Sequence, residues 1–168
     1  MLEFRFINHS QLEKVDLLRI CEIKAISWPF SLESQKDWID GNVEAADIHV
    51  MMEYSGELLA YLCLTKRIIE INLASQSVIG VGNVCCRNSG LGHGRQLLFA
   101  TNSYLNENDN IGMLFCKTSI IPFYQKCHWK LVDGKKVHFA NKNSTNFQIM
   151  IFNLKLPVES ILFSGKVF

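Results

Sequence analysis

The sequence predicts an α/β (α+β) fold on a mixed sheet, and three observations predict it. The apolar run Val78-Ile79-Gly80-Val81 leads through the glycine-dense stretch Asn88-Ser89-Gly90-Leu91-Gly92-His93-Gly94-Arg95 into Leu97, Leu98, Thr101, Tyr104 and Leu105. Those last five recur at three- and four-residue spacing, which puts them on one face of a helix. Next, Ile111 to Lys117 is apolar enough to be buried on both faces, as parallel strands are. A strand–loop–helix–strand order crosses over right-handed, so the strands ending near Cys86 and Lys117 run parallel. Finally, Asp47 to Glu53 and Leu58 to about Ile71 flank Tyr54-Ser55-Gly56-Glu57, the pattern of a hairpin, so antiparallel strands are present too.

The other elements each have a local reason. Leu2 to Ile7 reads as a first strand. His9-Ser10 opens a helix in which Leu12, Val15, Leu18, Cys21 and Ala25 share a face. Ser27-Trp28-Pro29-Phe30 breaks it, because proline lacks a donor and restricts the residue before it. Ser31 is the N-cap of a second helix that runs through Trp38 and Ile39 to a stop at Gly41. Asn72 to Ser77 is a polar turn into the central strand Val78–Cys86, and Asn106 to Asn110 is a polar stop after the loop helix. Residues 120–127 form a short helix carrying Tyr124, Asp133-Gly134 turns a hairpin, and Phe147 to Leu154 is a late strand. Without repeats, linkers or low-complexity tracts, residues 1–168 read as a single domain.

Composition excludes several classes of function. Hydrophobic content of 48% with 20% charged residues fits a globular chain with a sizeable core. A formal net charge of +1 and no basic patch argue against nucleic acid as a partner. The start, Met1-Leu2-Glu3-Phe4-Arg5-Phe6, has no apolar core for a signal peptide, and no run approaches the ~20 residues of a membrane span. The expectation is a cytoplasmic protein without a membrane partner. Cys21, Cys63, Cys85, Cys86, Cys116 and Cys127 form no C-x-x-C pair and have no ligand spacing to the histidines. They read as small buried residues, so neither a metal nor a disulfide is expected. Between Ser31 and Ala60, seven acids face one lysine; on an acceptor cleft they would favour a cationic substrate.

The glycine-dense stretch carries the chemistry. Glycines there allow φ > 0 and close approach of a ligand, and a helix N-terminus offers unpaired N–H groups and a positive dipole end. That is an anion site, most often one for phosphate. A dinucleotide G-x-G-x-x-G fails, since the third glycine would be Arg95 or Leu97, and no Gly-Lys-Ser or Gly-Lys-Thr ends a Walker loop. A tight strand-to-helix turn with no ligand is the alternative for this stretch taken alone.

Val84-Cys85-Cys86-Arg87-Asn88-Ser89-Gly90-Leu91-Gly92-His93-Gly94, with Leu97-Leu98 beyond it, resembles the pyrophosphate loop of the GCN5-related N-acetyltransferases (GNAT superfamily), V-x-P-x-x-[QR]-x-x-G-x-[GA]. One helix and one strand later, Pro122-Phe123-Tyr124-Gln125-Lys126-Cys127-His128-Trp129 resembles the family's F-Y-[E]-[K]-x-G-[FW]. The resemblance covers Val78 to Trp129 well, and the ends by order of elements only. It implies a mostly antiparallel sheet of six to seven strands with a splayed parallel central pair, flanked by about four helices. It also implies acetyl-CoA (coenzyme A) as co-substrate, and direct attack of an amine on the thioester. Carried over by motif position, the cofactor-binding residues are Gly82, Asn83 and Val84 for the pantetheine arm and Gly90, Leu91, Gly92, His93, Gly94 and Arg95 for the pyrophosphate. Tyr124 would protonate the departing thiolate; a buried aromatic ending a short helix is the other reading. Trp28 and Phe30, at the break between the first two helices, would line the acceptor pocket or else plug the core.

Departures from the pattern are Ser89 for Gln or Arg, Cys86 for Pro, Lys117 for an asparagine, and His128 for a glycine. Arg87 or Arg95 could supply the charge missing at Ser89, and Lys117 could meet a phosphate of coenzyme A. His128 fits if the helix ends without a strict left-handed position. The register Arg87-x-x-Gly90-x-Gly92 restores an arginine but misplaces Val84 and Leu97-Leu98. Candidate general bases are His49, Asp47, Glu53 and His138. The resemblance therefore implies an N-acetyltransferase acting on a small primary amine, with a peptide N-acetyltransferase or a non-catalytic coenzyme A-binding protein as alternatives. A homodimer is left open.

Overall fold

Ser55 and Gly56, at φ of 49° and 82°, close the first hairpin of the computed structural model, which describes residues 1–140 and 146–164. Two consecutive positive-φ residues match the right-handed twist of the strands they join. These strands are β2 (Ile48–Tyr54) and β3 (Glu57–Ile71), and β1 (Leu2–Asn8) pairs antiparallel with β2 from Leu2↔Tyr54 to Asn8↔Ile48. The chain divides into two compact units, Met1–Thr65 with Gly82–Thr101, and Lys66–Val81 with Asn102–Phe168. Strands β3 and β4 (Ala74–Cys86) and helix α3 (His93–Glu107) run through both units.

The first unit holds the ladder β1-β2-β3 and helices α1 (Lys14–Ser27) and α2 (Leu32–Asn42). Its core gathers Ile20, Ile23, Ile39, Met51, Leu58, Tyr61, Cys63 and Cys85. The predicted face of α1 is corrected. His9–Gln11 is a separate 3-10 turn, the helix starts at Lys14, and Val15 and Leu18 are 58% and 49% exposed. The buried face is Asp16, Ile20, Cys21, Ile23 and Lys24 instead. Hydrophobic periodicity misses it because two of its members are charged. Asp16 goes inside because Arg5 and Arg19 reach it at 2.7 and 3.0 Å, and Glu53 joins the same arginines at 3.3 and 3.0 Å. Helix α2 begins as expected, with Ser31 Oγ accepting from the Ser34 N–H at 3.2 Å, but it runs past Gly41 to Asn42.

The second unit holds the ladder β3-β4-β5-β8-β6, with β5 (Ile111–Cys116), β6 (Lys130–Leu131), β8 (Gln148–Phe152) and helix α4 (Ile121–Gln125). Short β9 (Ile161–Phe163) pairs with β3 and with β7 (Val137–Phe139). Strands β4 and β5 are parallel, as expected. Their register covers Val78↔Ile111, Ile79↔Gly112 and Gly80↔Met113 and ends there, while β4 continues to Cys86 and β5 to Cys116. Most other pairs are antiparallel; β7 with β9 is a second parallel pair. Among the described residues the fold is thus mixed α+β on a mostly antiparallel sheet with four α-helices, as the resemblance implied, but the sheet has nine strands rather than six to seven because short β7 and β9 join it.

Two turns of the second unit differ from expectation. β4 begins at Ala74, because Asn72 and Leu73 (φ 52° and 64°) make a two-residue hairpin turn. The Asn72 side chain then donates to the Pro157 carbonyl at 2.8 Å and accepts from the Glu159 and Ser160 amides. Asp133-Gly134 does not turn a hairpin. Its aspartate caps the 3-10 turn Gly134–Lys136 through the Lys135 N–H at 3.0 Å, and the flanking strands pair elsewhere. Gly112 is required by packing: a Cβ there would lie 2.7 Å from the Trp129 ring and 2.8 Å from Leu105.

Candidate functional site

The glycine loop lies in the first unit, and its entry is fixed by Arg87. The Arg87 N–H donates to the Leu59 carbonyl at 2.9 Å, and its Nε donates to the Leu58 carbonyl at 3.0 Å and pairs with Glu57 at 3.1 Å. Arg87 therefore holds the strand exit against β3, while Arg95 is exposed, 5.2 Å over the Phe99 ring. Gly90 and Gly92 sit at φ of 81° and 80°, which other L-residues rarely adopt, and open space surrounds the place of a Cβ at both. The Gln96 N–H donates to the Gly92 carbonyl at 3.1 Å, so Gly92 immediately precedes the first turn of α3. Helix geometry leaves the amides of His93, Gly94 and Arg95 without intrahelical acceptors. His93 Nδ1 is buried with no hydrogen-bond partner among the described residues. An open cradle of left-handed glycines, first-turn amides and an orphaned ring nitrogen fits a pyrophosphate.

Gly82 is buried in β4, and Asn83 and Val84 are half-buried. Asn83 takes φ of 55° inside the strand, a left-handed kink where the pantetheine residues were expected. Sequence reasoning missed this kink. Its signal was the asparagine, one of the few non-glycine residues that tolerate the conformation. Trp28 and Phe30 are 38% and 66% exposed at the α1–α2 connection, so they do not plug the core. The Trp28 carbonyl accepts from Gln35 Nε2 at 2.7 Å.

Tyr124 and Lys117 lie in the second unit. Tyr124 is buried in α4, and its carbonyl accepts from the Cys127 and Trp129 amides at 2.9 and 3.1 Å. With the His128 N–H bonded to the Gln125 carbonyl at 3.0 Å, these bonds form a Schellman ending whose left-handed position is His128, at φ of 67°. The glycine position of the motif is thus strictly left-handed, contrary to the expectation for His128. Lys117 is exposed ahead of the 3-10 turn Thr118–Ile120. Behind α4, Asn102 Nδ2 donates to the Cys127 carbonyl at 2.8 Å and its Oδ1 accepts from the Trp129 indole N–H at 3.0 Å. That buried amide gave no pattern in the sequence.

The four candidate bases differ in what they hold. Glu53 pairs with two arginines, and Asp47 accepts from the Glu44 N–H at 2.9 Å. His138 is exposed on β7 of the second unit. His49 is fully buried, bonded to His9 and to Tyr61. Burial pushes the Cys21, Cys85, Cys86 and Cys116 thiols up, away from the thiolate a nucleophile needs. None of the six cysteines is in a disulfide. Among the described residues no three ligand-type side chains gather to hold a metal, and no helix is long and apolar enough to cross a membrane.

No family model and no curated protein matches the sequence. Solved structures do match. A GNAT-family N-acetyltransferase (YhbS) from Escherichia coli, crystallised in complex with CoA, aligns at TM-score 0.67 and 12% identity over 97% of this chain and 89% of its own. A GNAT-family acetyltransferase from Brucella melitensis in complex with acetyl-CoA aligns at 0.62 and 16%, over 97% of each chain. An acyl-CoA N-acyltransferase from Pseudomonas aeruginosa aligns at 0.65 and 17%, over 90% of this chain and 99% of its own. The chain has the GNAT fold.

Proposed function

We propose that the chain is an acetyl-CoA-dependent N-acetyltransferase that passes an acetyl group directly to the primary amine of a small molecule in the cytoplasm. The observation that carries this reading is the glycine loop at the start of α3, with Gly90 and Gly92 left-handed and His93 Nδ1 orphaned, in a fold whose solved examples include CoA complexes. The loop amides would hold the pyrophosphate, and Gly82, Asn83 and Val84 would pair with the pantetheine arm as an added strand does. Bound acetyl-CoA supplies the thioester that the amine attacks. Tyr124 would protonate the leaving thiolate as a general acid. Trp28 and Phe30 would border the acceptor. In the acid-rich stretch Asp47, Glu53, Asp40 and Glu57 already hold partners, which leaves Glu33, Asp37 and Glu44 exposed to favour a cationic acceptor.

The test is thiol release from acetyl-CoA across a panel of amines, with calorimetric titration of the cofactor. Turnover with small primary amines supports the reading. Turnover with peptide N-termini alone moves the acceptor class to peptides, and binding without turnover makes the chain a coenzyme A-binding protein.

A further inference from the structure

The second unit holds an open cleft of about 260 Å³ that neither the glycine loop nor Tyr124 lines. Asn106 in the last turn of α3, His128 just past α4, and Lys130 of β6 line it together with residues 151–155, along and beyond β8. Tertiary contacts hold these pieces in place. Asn153 Nδ2 donates to the Asn110 carbonyl at 3.1 Å and Lys155 pairs with Asp109 at 2.7 Å, which ties the end of β8 to the stop after α3. Lys130 pairs with Ile151 across β6 and β8, and the Phe152 ring lies 5.5 Å from that of Trp129. The cleft is therefore preformed, as small-molecule sites usually are.

Its chemistry is one-sided. The ionisable side chains that line it, His128, Lys130 and Lys155, are all bases, and no acid lines it. Among the described residues Lys130 forms no ion pair. The Lys155–Asp109 pair is 74% and 80% exposed, so it holds weakly and yields to a better-placed anion. Asn106 and Asn153 add side-chain amides, which carry N–H donors. Beside these groups Ile151, Phe152 and Leu154 supply apolar surface. A bare hydrated anion gains nothing from that surface, and a neutral apolar molecule leaves the bases unused. The volume lies below the ~300–1,000 Å³ of drug-sized ligands, which points to a small molecule. Two lining residues also carry backbone strain. His128 and Asn153 hold φ of 67° and 60°, and such strained residues gather at ligand sites.

We propose that this cleft binds a small carboxylate with an apolar body. The carboxylate meets the bases Lys130, Lys155 and His128, and the body lies against Phe152 and Leu154. The site is separate from the proposed acetyl transfer and holds whether or not the chain turns over acetyl-CoA.

The test uses benzoate, with benzamide (the same ring without the charge) and inorganic phosphate (charge without a ring) beside it. Each is titrated calorimetrically into the full chain. Benzoate should bind saturably and at least tenfold more tightly than either comparison compound. Lys130→Gln combined with Lys155→Gln should weaken benzoate at least tenfold, and affinity for acetyl-CoA should match the parent. Melting temperature supplies a second readout, because a ligand that binds only the folded chain raises it. Benzoate should raise it in the parent and not in the double variant, whose own melting transition reports that it is folded. No saturable binding of benzoate would overturn the site. Benzamide binding as tightly as benzoate, or an unchanged affinity in the folded double variant, would remove the charged contact and the proposal with it. Phosphate binding as tightly as benzoate would overturn the apolar half. A parent that binds benzoate but not acetyl-CoA would sink the N-acetyltransferase reading and leave the cleft standing.

Discussion

Gly92 holds φ at 80° with open space around it, so a β-branched residue there meets strain in its own backbone before it meets a neighbour. Gly92→Val should lower acetyl-CoA affinity at least tenfold, about 1.4 kcal/mol, with the fold retained; calorimetry reads it, and an unchanged dissociation constant contradicts it. Tyr124→Phe separates chemistry from packing by deleting one hydroxyl. A proton donor's loss lowers kcat by ~10²–10⁴ with cofactor affinity nearly unchanged, and the loss shrinks for an acyl donor with a more acidic thiol. Equal turnover of mutant and parent, with chemistry limiting, removes Tyr124 from the mechanism. His128 carries the left-handed cost that a glycine would avoid, so His128→Gly should raise the free energy of unfolding by about 1 kcal/mol, read as a higher denaturation midpoint. A lowered midpoint would mean that the imidazole's contacts outweigh the backbone strain.

Among the elements, α3 and the end of α4 depend on Asn102, whose amide satisfies both the Trp129 indole and the Cys127 carbonyl. Asn102→Leu keeps the volume but strands buried polar groups, which should cost about 2–4 kcal/mol of stability in urea. A cost below about 0.5 kcal/mol would show that relaxation or water replaces the amide. Periodicity read α3 well: Leu97, Leu98, Thr101 and Leu105 are fully buried. It failed on α1, since the pattern counts apolar residues and this helix buries an aspartate and a lysine.

For the whole molecule, the buried ionisable groups set the pH dependence. His49 is depressed from 6.5 to about 4, mainly by burial, so between those values the unfolded chain binds more protons. Its stabilising share is present above pH 6.5 and is lost as pH falls toward 4, at most about 3 kcal/mol. Lys24 is depressed from 10.5 to about 8, again chiefly by burial, so stability should rise with pH from 8 to 9, above which the raised thiols of Cys21, Cys85, Cys86 and Cys116 work against it. Its ammonium sits 3.9 Å over the Trp38 ring. Lys24→Met should therefore stabilise the fold at pH 7 by about 1–3 kcal/mol and abolish the alkaline rise. Urea midpoints of the parent and of Lys24→Met from pH 5 to 9 check both groups, and a flat profile in the parent would contradict them.

The sequence by itself determined the order of strands and helices from Val78 to Trp129, the parallel pair, the first hairpin and the glycine cradle. Each of these follows from local rules: alternation, 3.6-residue spacing, and glycine where φ must be positive. Only the tertiary structure decided that Arg87 is held at the strand exit while Arg95 stays exposed, that Asn83 and His128 are left-handed, and that β7 pairs with β9. It alone joined His9, His49 and Tyr61, which lie 40 and 12 residues apart along the chain. Such contacts come from side chains far apart in sequence, and burial of a charged or polar group depends on partners that no local spacing records.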